Sequence, residues 1–299
     1  MGGHIMLTEH HLRGIYVPLV TPFLSNEELD LDSYRSYLTN LMQHDIHGIV
    51  VNGTTGEAPT VSWEEVRELV RIAQEIMSHK DNRIPLIIGV GTNHTLSTVK
   101  RIELAGQLGA DAVLIVTPYY SRPSEEGIVE HYRRAAQVGV PVIAYEVPSR
   151  TGVQLSVDTI RRILDLNGVI GLKDSSGGTE LIQQLTVLDT KPILCGEDLY
   201  FYDMLYQGAT GGMLASANIQ TDVCIDVYHH ASHGDFIKAK QSFDSLVPII
   251  EKLFIESNPS PIKWILAQQG IILSDTLRLP MGPITPDLQQ QLARMLKLR

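Results

Sequence analysis

Residues 141–173 read PVIAYEVPSRTGVQLSVDTIRRILDLNGVIGLK, and this stretch decides the fold. It opens on a short apolar run, Pro141–Tyr145, passes through a turn into a segment that Asn167-Gly168 closes as a helix, and ends on a second apolar run, Val169–Lys173. Neither run alternates polar with apolar residues. Runs apolar throughout suit strands covered on both faces, as in a parallel sheet, and a helix between them is the crossover that parallel pairing needs.

Working outward in both directions, the same unit recurs. Ile15–Val20, Gly48–Asn52, Pro85–Val90, Ala112–Val116, Pro192–Cys195 and Gly212–Ala215 bring the strand candidates to eight. Between them lie helical spacings such as Leu31, Tyr34, Leu38, Leu41 and Val66, Leu69, Val70, Ala73, Ile76. Ser62 with Glu65 three residues on reads as a capping box, and Gly139 closes the helix before the fifth strand. Eight strand–helix units predict an α/β fold, a closed (β/α)8 TIM barrel over residues 1–233. A doubly wound sheet would carry a Gly-rich dinucleotide turn after its first strand, where this chain has Thr21-Pro22-Phe23. From Gly234 the pattern is helical only, over Asp235–Ile255, Pro259–Gly270 and Pro286–Leu296, which predicts a C-terminal helical region at 234–299.

Composition bounds the function. Of 299 residues 43% are hydrophobic, 34 are acidic and 24 basic, and the net charge of −10 argues against nucleic acid or anionic lipid as partners. The longest apolar stretches, such as Val113–Val116, fall far short of the ~20 residues of a membrane span, so no membrane association is expected. Met1–Met6 show no charged region followed by an apolar one, and read either as native or as an addition before a native start. Cys195 and Cys224 form no CxxC pair and read as inert core thiols in a reducing, cytoplasmic compartment.

Barrel chemistry sits at the C-terminal strand ends, and there this chain concentrates polar and aromatic residues: Gly53–Glu57, Gly91–Asn93, Thr117–Tyr120, Tyr145–Gly152, Lys173, Gly196–Asp198 and Ser216–Asn218. Lys173 is the sharpest of them. Alternation along Gly168–Lys173 puts it inside the barrel if Ile170 and Leu172 face the helices. An ion-paired lysine near the rim, perched by Asp174 or Glu197, is one reading. The other is an amine that attacks a carbonyl to form a Schiff base. A lysine at the ordinary pKa of ~10.4 is only about 0.04% neutral at pH 7, so such chemistry asks desolvation to lower it by ~3, roughly 4 kcal/mol. Tyr145, at the end of the neighbouring strand, can shuttle protons, with Thr54 and Tyr120 extending a chain of hydroxyls. The backbone N–H groups of Gly53-Thr54-Thr55-Gly56 suit a carboxylate.

Gly53-Thr54-Thr55-Gly56-Glu57, Thr117-Pro118-Tyr119-Tyr120, Tyr145 with Val147-Pro148-Ser149-Arg150-Thr151-Gly152, Gly171-Leu172-Lys173-Asp174, Asn258-Pro259-Ser260-Pro261-Ile262-Lys263-Trp264 and Thr276–Met281 resemble the dihydrodipicolinate synthase / N-acetylneuraminate lyase family of pyruvate-dependent class I aldolases. The resemblance runs from about Gly14 to the end. It implies that Lys173 forms the Schiff base with pyruvate, with no other cofactor and no metal, and that Tyr145, Thr54 and Tyr120 form the proton relay, Tyr120 reaching across a dimer interface. It implies that Thr55 and Thr54 bind the pyruvate carboxylate and that Arg150 recognises the carboxylate of aspartate semialdehyde; Gly53 and Met213 complete the expected substrate-binding set. A homotetramer built from tight dimers is the implied assembly.

Departures from the family pattern set further expectations. Glu146 stands where the synthases generally carry Asn, and alternation favours its facing away from the site and pairing at the surface. Asp174-Ser175-Ser176-Gly177 looks more like the sugar-acid aldolase branches. Trp63 and Ser97 occupy positions where lysine-regulated members tend to have His and Glu, although Asn93 and Tyr119 match, which predicts weak or absent inhibition by lysine. His229, His230 and His233 read as a solvated helix face. The expected reaction is the condensation of pyruvate with aspartate semialdehyde. A pyruvate aldolase acting on a 2-keto-3-deoxy sugar acid or 4-hydroxy-2-oxoglutarate is the alternative, and a silent keto-acid-binding barrel a third.

Overall fold

The structure is a computed structural model that describes residues 6–79 and 83–297; Met1–Ile5 of the opening stretch lie outside the described residues. Its strands are β1 (Gly14–Pro18), β2 (Gly48–Val51), β3 (Leu86–Gly89), β4 (Ala112–Val116), β5 (Val142–Glu146), β6 (Val169–Asp174), β7 (Ile193–Cys195) and β8 (Gly211–Met213). They close into a barrel in chain order, β1 to β8, and β8 pairs back onto β1 in parallel. All but Val116 and Ile170 of these residues are buried, as expected for a sheet covered on both faces. The helices are α1 (Leu31–Leu41), α2 (Trp63–Met77), α3 (Thr95–Gln107), α4 (Glu125–Ala136), α5 (Pro148–Thr151), α6 (Val157–Leu164), α7 (Glu180–Leu185), α8 (Phe201–Tyr206), α9 (Thr221–Ser232), α10 (Phe236–Leu253), α11 (Ser260–Gln268) and α12 (Pro286–Leu296).

Local chemistry explains where the elements begin. The capping box forms: Ser62 Oγ accepts from the Glu65 N–H at 3.2 Å while the Glu65 carboxylate accepts from the Ser62 N–H at 2.8 Å. Ser124, Ser156 and Thr285 cap α4, α6 and α12 in the simpler way, each accepting one N–H of the first turn. Gly168 enters β6 with φ +93, a left-handed value that favours glycine. The β8–β1 closure also selects glycine, because a Cβ at Gly211 would lie 2.1 Å from the Gly14 carbonyl oxygen.

The chain divides into two compact units. One holds residues 1–16 and 85–213, with β3 to β8 and α3 to α8. Its central ladder is β4–β5–β6: Val116 registers with Tyr145, Tyr145 with Lys173 and Glu146 with Asp174. The β5–β6 register shifts near its start, Val142 facing Val169 but Ile143 facing Gly171, so Ile170 is an extra residue, a β-bulge. The other unit holds residues 17–84 and 214–299, with β2, α1, α2 and α9 to α12. Its core includes Phe23, Tyr34, Tyr37, Leu38, Ile250 and Ile265. The Tyr37 hydroxyl bonds the Asn218 side-chain oxygen, and the Asn218 amide donates to the Pro18 carbonyl at 3.0 Å.

The expected strand and helix positions hold to within a few residues. The first strand, expected to run to Val20, ends at Pro18, and the last, expected to reach Ala215, ends at Met213, with a 3-10 turn over Ala215–Asn218. Leu19, Val20, Leu214 and Ala215 stay buried beyond the ladder, which is why an apolar run overstates strand length. No helix among the described residues is long and apolar enough to cross a membrane.

Candidate active site

In the first unit, Lys173 and Tyr145 are register partners near the C-terminal ends of β6 and β5. Both are buried, with Lys173 6% exposed, and the ammonium nitrogen lies 4.2 Å from the centre of the Tyr145 ring. Leu172 lines a small cavity with Ile160, Ile163 and Leu164 of α6, so it faces the helices and Lys173 faces the opposite side, as alternation requires. The lysine stem runs across Gly196, after β7: a Cβ there would come within 2.7 Å of Lys173 Cε and 2.4 Å of Ser175 Oγ. Glycine at 196 therefore keeps open the channel the amine occupies. Ser175 is buried beside it, and its hydroxyl has no partner among the described residues. Met213, at the end of β8, is buried.

Two loops of this unit carry exposed candidates. Tyr120 is 89% exposed, with φ +71, a left-handed conformation costly for a bulky side chain. Arg150 lies on the four-residue helix α5, exposed and without an ion pair among the described residues. Thr151 fastens that turn, its hydroxyl donating to Val147 O at 3.2 Å and Val153 O at 3.0 Å.

Glu146 departs from its expected place. It does face away from Lys173, but it is 1% exposed and does not pair at the surface, because α4 and α6 cover that side of β5. Its carboxyl accepts from Thr117 Oγ1 and from the Leu155 N–H, each at 2.9 Å. Burial pushes this carboxyl up to about 7, helped by the nearby negative charges of Asp174 and Glu125 and opposed by its two donors. Burial likewise raises Asp174, whose Oδ1 accepts from the Ser176 N–H.

In the second unit, Gly53, Thr54 and Thr55 form the turn after β2. Gly53 and Thr55 are buried and Thr54 is half-buried. The Gly56 N–H donates to Gly53 O at 3.1 Å, so this amide is engaged within the turn and the anion-holding expectation narrows to Gly53, Thr54 and Thr55. The turn is fastened from far along the chain. Asn258 Nδ2 donates to Thr55 Oγ1 at 3.0 Å, and Lys263 Nζ donates to Thr21 O at 2.9 Å and to Glu57 Oε2 at 2.8 Å. Lys263 and Glu57 are a buried ion pair, 0% and 1% exposed, over the face of Phe23. Burial lowers the Lys263 pKa and the Glu57 charge opposes that. Both residues lie within motifs that carry no expected role for them, and their one signal in the sequence is a pair of opposite charges in otherwise apolar, turn-bounded segments.

The remaining candidates stay apart from these arrangements. His229 and His233 are exposed with rings 4.4 Å apart, and among the described residues no group of three or more His, Cys, Asp or Glu is placed to hold a metal ion. Cys195 and Cys224 are buried and outside any disulfide among the described residues, and burial pushes the Cys195 thiol well up, away from the reactive thiolate form.

Residues 11–299 match the sequence model of the Dihydrodipicolinate synthetase family. The 4-hydroxy-tetrahydrodipicolinate synthase of Thermomicrobium roseum is 37% identical over 284 residues, covering 94% of this chain and 92% of its own. The 4-hydroxy-tetrahydrodipicolinate synthase 2 of Clostridium acetobutylicum is 34% identical over 95% of this chain and 99% of its own. Among solved structures, dihydrodipicolinate synthase of Thermotoga maritima superposes with a TM-score of 0.92 at 34% identity, covering 96% of this chain and 98% of that one. A structure described as the first monomeric dihydrodipicolinate synthase variant gives 0.92 at 33% identity, covering 97% of each chain.

Proposed function

Because this chain belongs to the dihydrodipicolinate synthetase family, we propose that it is a class I aldolase-type lyase that condenses pyruvate with L-aspartate 4-semialdehyde. The observation that carries the reading is the buried Lys173 amine beside Tyr145 on neighbouring strand ends. The Lys173 nitrogen attacks the pyruvate ketone and water leaves, giving an imine. Loss of a methyl proton gives the enamine, whose carbon bonds the aldehyde carbon of the second substrate. The amino group of that substrate then attacks the imine carbon and displaces Lys173, closing the ring. Tyr145, Thr54 and Tyr120 relay the protons, Thr54, Thr55 and Gly53 hold the pyruvate carboxylate, and Met213 borders the substrate.

Arg150 binds the acceptor carboxylate, for which an exposed guanidinium without an ion pair among the described residues and able to make two parallel hydrogen bonds is suited. The chemistry asks for no further cofactor, since pyruvate is held as the imine. The exposed, left-handed Tyr120 supports a dimer in which this side chain completes the partner's relay, and two such dimers form the proposed homotetramer. Two buried cysteines outside any disulfide fit a cytoplasmic setting.

Borohydride reduction in the presence of pyruvate, followed by mass spectrometry, tests the reading. An adduct on Lys173 is expected, and its absence would leave a silent keto-acid-binding barrel. The unpartnered Ser175 hydroxyl beside Lys173 favours one second reading, a pyruvate aldolase whose acceptor bears hydroxyls. Release of pyruvate from 2-keto-3-deoxy sugar acids or 4-hydroxy-2-oxoglutarate, faster than turnover of aspartate semialdehyde, would establish it.

A further inference from the structure

On the helix-facing side of β5 and β6, each one residue beyond the Tyr145–Lys173 pair, stand two buried carboxyls, Glu146 and Asp174, also register partners. Among the described residues one oxygen of Asp174 has no partner, whereas both oxygens of Glu146 are engaged. The two groups that Glu146 holds stand at the roots of two loops. Leu155 closes the segment that leaves β5 at Val147 and carries Arg150, and Thr117 opens the turn that carries Tyr120. The loops meet again where the Tyr120 N–H donates to Thr151 O at 3.4 Å. Helix α5 has only four residues, too few to sustain itself, so the placement of Arg150 depends on what anchors the ends of its segment.

We propose that Glu146 is a positioning residue whose carboxyl clasps the Arg150 turn and the Tyr120 loop onto the strand ending in Tyr145, and so sets recognition of the second, carboxylate-bearing substrate. The inference rests on the functional reading above. A buried carboxyl is costly in a wall formed by Leu155, Ile160, Ile163 and Leu172, and its two donors offset that cost only while both loops stay in place. The surroundings also give the clasp a pH readout. Facing Glu146 are Asp174 of β6, the Tyr132 phenol of α4, which donates to Ile115 O, and Glu125, which is held by Ser156 and Thr159. Helix α6 presents Ile160, Ile163 and Leu164, its Arg161 and Arg162 reaching instead to Gln184 O and Glu126.

The test compares the wild type, Glu146→Gln and Glu146→Leu by KM for pyruvate, KM for aspartate semialdehyde, borohydride trapping, and hydrogen–deuterium exchange at the Leu155 amide. Glu146→Leu is expected to raise the acceptor KM about tenfold or more, to leave the pyruvate KM within about threefold, and to lose protection at Leu155. Glu146→Gln, which retains an acceptor for the Leu155 N–H, restores both. The acceptor KM of the wild type changes over about pH 6 to 8 and that of Glu146→Gln does not. Equal effects on both KM values, unchanged protection in Glu146→Leu, or a Gln variant no better than the Leu variant would overturn the proposal. If Glu146→Leu does not fold, Thr117→Val removes one donor alone, and an unchanged acceptor KM there refutes the clasp. Absence of a trapped adduct in the wild type sinks the functional reading instead, while Leu155 exchange tests the clasp without substrate.

Discussion

Replacing Lys263 by Met keeps a side chain of similar length and removes the ammonium. Three contacts disappear: 2.8 Å to Glu57 Oε2, 2.9 Å to Thr21 O, and the cation over the Phe23 ring at 4.3 Å. Glu57 is left 1% exposed, with Arg278 N–H at 3.3 Å as a remaining donor to its other oxygen. Removing one partner of a buried ion pair costs about 3–5 kcal/mol, mostly because the other charge stays uncompensated. At roughly 2 °C per kcal/mol for a chain of this size, the variant should melt about 6–10 °C below the wild type at neutral pH. In Lys263→Met/Glu57→Gln no charge is left behind, and most of the loss should be recovered. Melting curves and urea titrations of the three proteins from pH 5 to 8, with pyruvate trapping as a readout of the Gly53–Glu57 turn, decide the matter. A Lys263→Met protein within about 1 kcal/mol of the wild type at pH 7 would refute the reasoning, as would a double variant no more stable than the single one.

Other outcomes follow from the same geometry. Lys173→Ala should give no borohydride-trapped adduct and lose turnover by about 10³-fold or more, and residual turnover near wild type would remove Lys173 from the mechanism. Tyr145→Phe should lower kcat by about 10²–10⁴-fold while an adduct on Lys173 still forms, measured by single-turnover trapping. Glu146 has a folded pKa of about 7, above the ordinary 4.5, so its contribution to stability is full below about pH 4.5 and is lost as pH rises through 7, a decline of about 3 kcal/mol. Glu146→Gln should lack that decline in thermal melts across the same range. Lysine at sub-millimolar concentration should leave the coupled assay unchanged, since Trp63 and Ser97 supply neither an imidazole nor a carboxylate; strong inhibition would reverse this.

Period and punctuation carried much of the fold. Eight apolar runs and the Ser62–Glu65 box are local signals, and a parallel barrel is assembled from local units, so residues near one another in sequence fixed β4, α12 and the capped start of α2. Lys173 was legible because parity along a strand tells inside from outside. Glu146 shows the limit of that argument: parity gave its direction, but whether water or helices lie there depends on how α4 and α6 pack. The Lys263–Glu57 pair and the Asn258–Thr55 bond join residues more than 200 positions apart, and no periodicity reports such contacts. The spent amide of Gly56 was hidden for another reason, since it depends on the turn's own hydrogen bonds and not on its composition.

The extra residue at Ile170 determines which side chains meet. Counting straight on from Val142 opposite Val169 would set Tyr145 against Leu172 and Glu146 against Lys173, joining acid to amine in a neutralised couple. One additional peptide unit advances β6 by a step and delivers a phenol to the nitrogen instead. Which side chain meets the amine is thus written in the arithmetic of the backbone as much as in the identity of the lysine: were Ile170 drawn into the ladder and not bulged out of it, every named functional group would still be present and the phenol would face Leu172.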